Sequence, residues 1–195
     1  PAILFAAGCS VAQNRSDTAI DIRELIGDVW MHTSYHTFPD GNRFPSNGLI
    51  VTEDKGLVLI DTAWGELQTE RLLQRIETEI GLPVLKAVVT HSHDDRAAGV
   101  DVLESRGVEV FAHPLTRSLA IRNGAPVPDK TLHAIAEAGQ FTTLDSIEVI
   151  YPGPPHPVDN LMVWTPPKKV LFGGCAVRAA GSASIGNIAD SDITS

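Results

Sequence analysis

The run LKAVVTHSHDDRAAG, from Leu85 to Gly99, carries the residues best suited to chemistry. A short apolar stretch ends at Thr90 and is followed at once by His91, Ser92, His93, Asp94 and Asp95. Apolar-then-polar punctuation of this kind predicts a buried strand that delivers polar side chains at its C-terminal end. Two histidines two positions apart in extended chain point the same way, because side chains alternate with period two. Imidazole nitrogen and carboxylate oxygen together suit zinc in a roughly tetrahedral shell. A bare His-x-His reads as a solvated loop, whereas His-x-His-x-Asp directly after an apolar strand is a much stronger metal signal.

Such a motif needs distant partners. His156 lies in the Pro/Gly-rich loop Pro152–Asn160, between two stretches that read as strands, and Cys175 follows a third strand behind Gly173 and Gly174. Both occupy the position of His91, His93 and Asp95, just past a strand end. Three histidines can form one face of a zinc shell and leave the fourth position to water. A carboxylate and a thiolate nearby could hold a second zinc, and two such metals can share a hydroxide whose pKa is lowered to near neutrality. Alone, His156 reads as a capped loop histidine and Cys175 as a small buried hydrophobe. With the motif, the metal reading is favoured.

The elements that must position these residues follow in order. Strands are expected at Ile20–Leu25, Val29–His36, Asn47–Thr52 and Gly56–Ile60, and a helix over Glu66–Ile80, stopped by Gly81 and Pro83. The segment Thr37–Pro45 reads as a turn-rich loop, either a flap over a ligand or a plain hairpin tip. Asp61 reads as support for a metal site or as a helix cap. Further on come the strand Val84–Val89, a helix from Ala97 to Ser105, the strand Val108–Ala112 and a helix from Pro114 to Arg122. Residues 126–140 read as irregular with a short helix. Strands return at Ile147–Tyr151, Leu161–Trp164 and Val170–Phe172. Strands, a mixed middle and strands again imply α/β layers with the site at the strand ends.

The 195 residues suffice for one domain with a sizeable core. A 43% hydrophobic, 20% charged composition is that of an ordinary globular protein. The net charge of −9, without any basic run, argues against a nucleic-acid partner, and no stretch is apolar for long enough to span a membrane. Cys9 and Cys175 are far apart in sequence, and a disulfide is not indicated. Residues 1–17 read as a signal-peptide remnant and leader, Ala2–Ala7 followed by Gly8-Cys9-Ser10 resembling the tail of a bacterial secretory signal. The expected location is therefore the periplasm, with lipidation of Cys9 the minority reading. A domain over 18–195 follows.

THSHDDRAAGVDVL, DTAWG (Asp61–Gly65), IGLPV (Ile80–Val84), YPGPPHPVDN and FGGC resemble the class B metallo-β-lactamases. The resemblance runs from about Ile20 to the C-terminus. It is to the subclass with a cysteine in the second zinc site, VIM-type enzymes being nearest. It implies an αββα sandwich with a dinuclear zinc cleft along one edge, acting as a monomer on a small-molecule β-lactam to confer resistance. It assigns His91, His93 and His156 to the first zinc, and Asp95 and Cys175 to the second. Arg178 would receive the substrate carboxylate, and Asn187 would polarise the lactam carbonyl. A zinc-bound hydroxide would attack that carbonyl, with Asp95 orienting it. Phe38, Phe44 and Trp64 would make apolar contacts with substrate, core packing being the plainer role for Trp64.

Two departures from the family pattern stand out. Pro155 and Pro157 flank His156, stiffening its loop and removing a backbone donor. The family's remaining second-zinc ligand is a later histidine, and none of His32, His36, His113 and His133 has its context. Each of these four reads as a surface or core histidine. A partial sequence with an incomplete second site, truncated at its C-terminus, is the resulting expectation. Two alternatives stay open. One is another hydrolase of the superfamily, a thioesterase or lactonase, although these carry His where Arg96 stands. The other is an inactive zinc-binding fragment.

Overall fold

The computed structural model describes residues 18–154 and 157–177. Seven strands form the first sheet: β1 (Ile20–Ile26), β2 (Val29–Thr37), β3 (Arg43–Glu53), β4 (Gly56–Ile60), β5 (Val84–Val89), β6 (Glu109–Ala112) and β7 (Lys130–Thr131). They lie side by side in chain order, antiparallel up to β4 and parallel from β4 to β7. A second, antiparallel sheet has the order β11 (Val170–Phe172), β10 (Met162–Thr165), β9 (Ile147–Ile150), β8 (Phe141–Leu144).

Period-two alternation explains how the first sheet is buried on both faces, and why its central strands read as unbroken apolar runs. Leu57 and Leu59 of β4, Ala87 and Val89 of β5 and Val110 of β6 pack with Leu72, Leu73 and Ile76 of α1 (Gly65–Glu79) and with Val100 and Leu103 of α3 (Val100–Ser105). The alternate residues Val58, Ile60 and Val88 form a second core with Ile147, Val149 and Val163 of the second sheet. Sheets stacked on each other and flanked by helices are the α/β layering that the sequence implied. Among the described residues no helix is long and apolar enough to cross a membrane.

The 3.6-residue period of α1 places Gln68, Thr69, Leu72, Leu73 and Ile76 on its buried face. Gln68 serves as a clamp there: its amide donates to the Tyr35 carbonyl at 2.6 Å and accepts from the Tyr35 N–H at 3.2 Å. The helix ends at Ile80, and Gly81 follows in the left-handed region with φ 77°.

Three expectations need correction. β3 begins at Arg43 rather than Asn47, so Thr37 and Arg43–Pro45 at the two ends of the expected loop are paired strand, with His36 opposite Phe44. Only a tight tip remains, closed by Phe38 N–H to Asn42 O at 2.9 Å and by the Asp40 carboxylate. The expected helix Ala97–Ser105 is two short ones, α2 (Asp94–Ala97) and α3, interrupted at Gly99. A Cβ at Gly99 would lie 2.0 Å from Thr69 Oγ1, so only glycine lets this backbone approach α1. β7 and β8 have no counterpart among the expected strands because two and four residues, four of the six polar, show no usable alternation. Within 126–140 the chain is largely irregular with one short 3-10 helix, His133–Ile135, as the sequence implied.

Candidate metal centre

Parallel pairing brings the C-terminal ends of β4 and β5 together, and with them Asp61 and Thr90-His91. The Asp61 N–H donates to Val88 O at 2.9 Å. Asp61 is fully buried in the left-handed region (φ 65°), and its carboxylate accepts from the Thr90 N–H at 2.7 Å and the Thr90 hydroxyl at 2.9 Å. It does not cap α1, whose N-cap position is Trp64 without a side-chain cap bond. Of the two roles open to it, the one behind the site is the one the fold realises.

His91, Asp95 and Cys175 converge, with one ligand atom from each lying within 4.8 Å of the others. His91 Nε2 is 3.8 Å from Asp95 Oδ1, and Cys175 Sγ is 3.8 Å from Asp95 Oδ2. Imidazole, carboxylate and thiol together are a donor set that suits a borderline-soft dication such as zinc. The His93 ring packs edge-on against His91 at 4.8 Å and lies outside that three-residue group. His93 also stands at the N-cap position of α2, so the chain turns into helix immediately after the two histidines. Cys175 arrives on a 3-10 turn, Gly174–Ala176, after β11.

The loop that carries His156 is fastened to the motif from its described flank. Asp159 accepts from the Ser92 N–H at 2.9 Å, and Leu161 N–H donates to Thr90 O at 2.7 Å. Tyr151 holds the same loop through its hydroxyl, which donates to Val158 O at 2.7 Å. His156, Arg178 and Asn187 lie outside the described residues, as do Cys9 and the leader.

Two residues that the sequence reading did not place turn out to hold the site. Ser46 of β3 donates to Asp95 through its hydroxyl, 3.0 Å from the carbonyl and 3.2 Å from Oδ2. Arg96, which had entered only as the residue replacing a histidine, is buried in the floor. Its guanidinium pairs with Asp61 at 3.1 Å and with Asp95 at 2.9 Å, donates to Cys175 Sγ at 3.3 Å and bonds the Asn47 carbonyl. The sequence signal was a charged residue directly before the small, buried Ala97, but nothing in it says which way the side chain points. Burial works against the charge on Arg96, yet Asp61, Asp95 and Cys175 outweigh it and keep the guanidinium protonated. Burial pushes the Asp61 carboxyl up to about 6 against the pull of Arg96 and Thr90, and it raises the Cys175 thiol, with Arg96 again opposing.

Beside the site stands an aromatic cluster. His36 stacks on Trp64 with centroids 4.9 Å apart, Phe38 meets His36 edge-on at 4.6 Å, and Phe38 meets Phe44 edge-on at 5.3 Å. Phe38 and Phe44 are exposed, at 39% and 53%, while Trp64 is half-buried. Phe44 precedes Ser46 by two positions on β3 and so shares its face. His32 and His113 are buried in the interior and His133 is on the surface. A groove of about 530 Å³ lies at the other ends of β4 and β5, lined by residues such as Lys55, Leu57, Leu85 and Asp145, and it has no comparable donor set.

The family model for the metallo-beta-lactamase superfamily matches residues 41–194. The chain is 37% identical to a metallo-beta-lactamase type 2 of Bacillus cereus, over 92% of this chain and 69% of that protein. It is 31% identical to a protein of the same name from Elizabethkingia meningoseptica, over 86% of this chain and 66% of that one. A solved metallo-beta-lactamase from Hirschia baltica matches with a TM-score of 0.85 at 35% identity, over 89% of this chain and 78% of that one. The metallo-beta-lactamase FIM-1 from Pseudomonas aeruginosa, solved in a mono-zinc form, matches with a TM-score of 0.85 at 34% identity, over 91% and 78%. With matches of this kind over most of its length, the chain belongs to the metallo-beta-lactamase superfamily and is a hydrolase.

Proposed function

We propose that the chain hydrolyses the amide bond of β-lactam antibiotics with zinc, as the names of its relatives indicate for those proteins. The observation that carries this reading is the convergence of His91, Asp95 and Cys175 within 4.8 Å at the strand ends of a chain of this family. His91, His93 and His156 would hold one zinc, and Asp95 and Cys175 another, in the manner of the cysteine-containing, VIM-type subclass. When bound, zinc lowers the pKa of a coordinated water toward neutrality and polarises a carbonyl oxygen.

The chain's own residues do the rest. Ser46 and Arg96 occupy Asp95 Oδ2 and leave Oδ1 turned toward His91. The carboxylate is thereby fixed to accept a hydrogen bond from the attacking water and to orient it. Arg178 would anchor the substrate carboxylate through charge-assisted hydrogen bonds, and Asn187 would donate to the lactam oxygen as negative charge develops there. Phe38, Phe44 and Trp64 offer apolar surface to the substituents. The reading extends to a monomer exported to the periplasm and to a role in β-lactam resistance.

The test is turnover of a chromogenic cephalosporin and a carbapenem by the purified chain, with and without a chelator. Hydrolysis that the chelator abolishes and added zinc restores is the expected result. Hydrolysis indifferent to chelator, or zinc-loaded protein that leaves both substrates intact, overturns the reading.

A further inference from the structure

The hairpin of β2 and β3 has two faces of different chemistry. On one, the Tyr35 hydroxyl donates to Asp21 at 2.6 Å and the Arg43 guanidinium lies over the Tyr35 ring at 3.5 Å. On the other, the paired row Ser34 and Ser46 borders the site. Ser46 donates to Asp95, and Ser34 accepts from the Trp64 N–H at 3.3 Å. His36 opposite Phe44 is the next row on that face, two residues nearer the hairpin tip. At about 3.3 Å per residue, His36 stands about 7 Å beyond the row that touches Asp95. That distance is too long for the reacting amide and suits a substituent on the lactam ring.

His36 is half-buried, stacked on Trp64 at 4.9 Å and met edge-on by Phe38 at 4.6 Å. Ring contacts hold it, and among the described residues no group hydrogen-bonds its nitrogens, neither of which is enclosed. Trp64 Nε1, the cluster's only other polar ring atom, is buried. A neutral imidazole offers one donor and one acceptor. A secondary amide offers the same pair, an N–H and a carbonyl, so the two are complementary.

We propose that His36 is a specificity-determining residue that hydrogen-bonds the acylamino substituent of a β-lactam, while Phe38 and Phe44 cover the apolar remainder of that substituent. The inference rests on the lactamase reading above and narrows it to lactams whose ring carries a secondary amide. An apolar wall discriminates weakly between substituents of equal size, whereas a donor and acceptor set into it select those that can answer. A hydrogen bond of ordinary net strength corresponds to a preference of about threefold to tenfold.

The test compares a phenylacetamido penicillin with penicillanic acid, which has the same bicycle and hydrogen in place of the amide. Both are given to zinc-loaded parent, His36→Phe and His36→Gln chains, each checked for folding by circular dichroism. His36→Phe keeps a ring for Trp64 and Phe38 but no polar atom, and His36→Gln keeps a donor and an acceptor but no ring. The ratio of kcat/KM for the phenylacetamido penicillin over penicillanic acid is expected to fall about threefold to tenfold in His36→Phe, through KM. In His36→Gln it is expected to stay nearer the parent's.

An unchanged ratio in His36→Phe overturns the inference. So does a ratio that falls in His36→Gln alone, because stacking would then set the preference. In the metal-free parent, the His36 Cε1–H resonance, identified by its loss in His36→Phe, is expected to shift with the phenylacetamido penicillin and not with penicillanic acid. An equal response to both refutes the contact. A zinc-loaded parent that hydrolyses neither penicillin sinks the lactamase reading and this inference with it, whereas hydrolysis of both with an unchanged ratio sinks this inference alone.

Discussion

His32 offers a sharp test of how the site's surroundings are built. Its ring is wholly buried opposite Gly48, with Nε2 3.2 Å from the Ile60 carbonyl, and burial is the main cause that pushes its pKa from 6.5 down to about 4. A base whose folded pKa is depressed binds its proton first in the unfolded chain. Its stabilising effect is therefore complete above pH 6.5, is lost as pH falls from 6.5 toward 4, and changes no further below. A shift from 6.5 to about 4 corresponds to roughly 3 kcal/mol in full, of which about 2 kcal/mol is lost by pH 5. Because the ring is fully buried, no discount for solvent screening applies.

Asp61 works in the other direction. Its folded pKa is raised from 3.8 to about 6, so its carboxyl gains protons in the folded chain and returns stability over much of the same range as pH falls. The raw pH profile consequently mixes two opposite slopes, and the contrast with a variant is the proper measurement. His32→Gln keeps a donor for the Ile60 carbonyl and cannot titrate. In urea unfolding of metal-free protein, the stability of the parent relative to His32→Gln should fall by about 2 kcal/mol between pH 7.5 and pH 5. Parallel profiles for the two proteins would refute the assignment of a buried, neutral His32.

The backbone facing that ring is equally constrained. A Cβ at Gly48 would lie 2.1 Å from His32 Nε2 and 2.3 Å from the Ile60 carbonyl, the latter being backbone. Gly48→Ala should destabilise by about 3 kcal/mol or more, as read by denaturant midpoint, and a loss below about 1 kcal/mol would contradict the packing described. Phe44→Ala, at a side chain 53% exposed, should leave thermal stability almost unchanged while raising KM for a chromogenic cephalosporin severalfold more than it lowers kcat. An unchanged KM would remove Phe44 from the substrate-contacting surface.

The metal motif was legible because it depends on local order: apolar strand, then His91, His93 and Asp95 within five residues. The same holds for α1, whose period is regular, and for β4 and β5, whose apolar runs signal burial on both faces. Cys175 could be suspected from its place after a strand, but its 3.8 Å approach to Asp95 depends on how the second sheet stacks on the first. Phe38 and Phe44 were visible as exposed aromatics, and their mutual packing only became definite once β3 was seen to start at Arg43.

What the sequence determined by itself is therefore the set of candidate ligands and the strand ends that carry them, since residue type and short-range periodicity are local properties. Tertiary structure alone decided the supports: that Arg96 turns inward to Asp61, Asp95 and Cys175, that Ser46 reaches Asp95 from β3, and that Gly48 makes room for His32. Each of these contacts joins segments far apart in the chain. A charge or hydroxyl at a given position carries no local mark of the neighbour that folding will bring to it, so these residues emerge only when the sheets are in place.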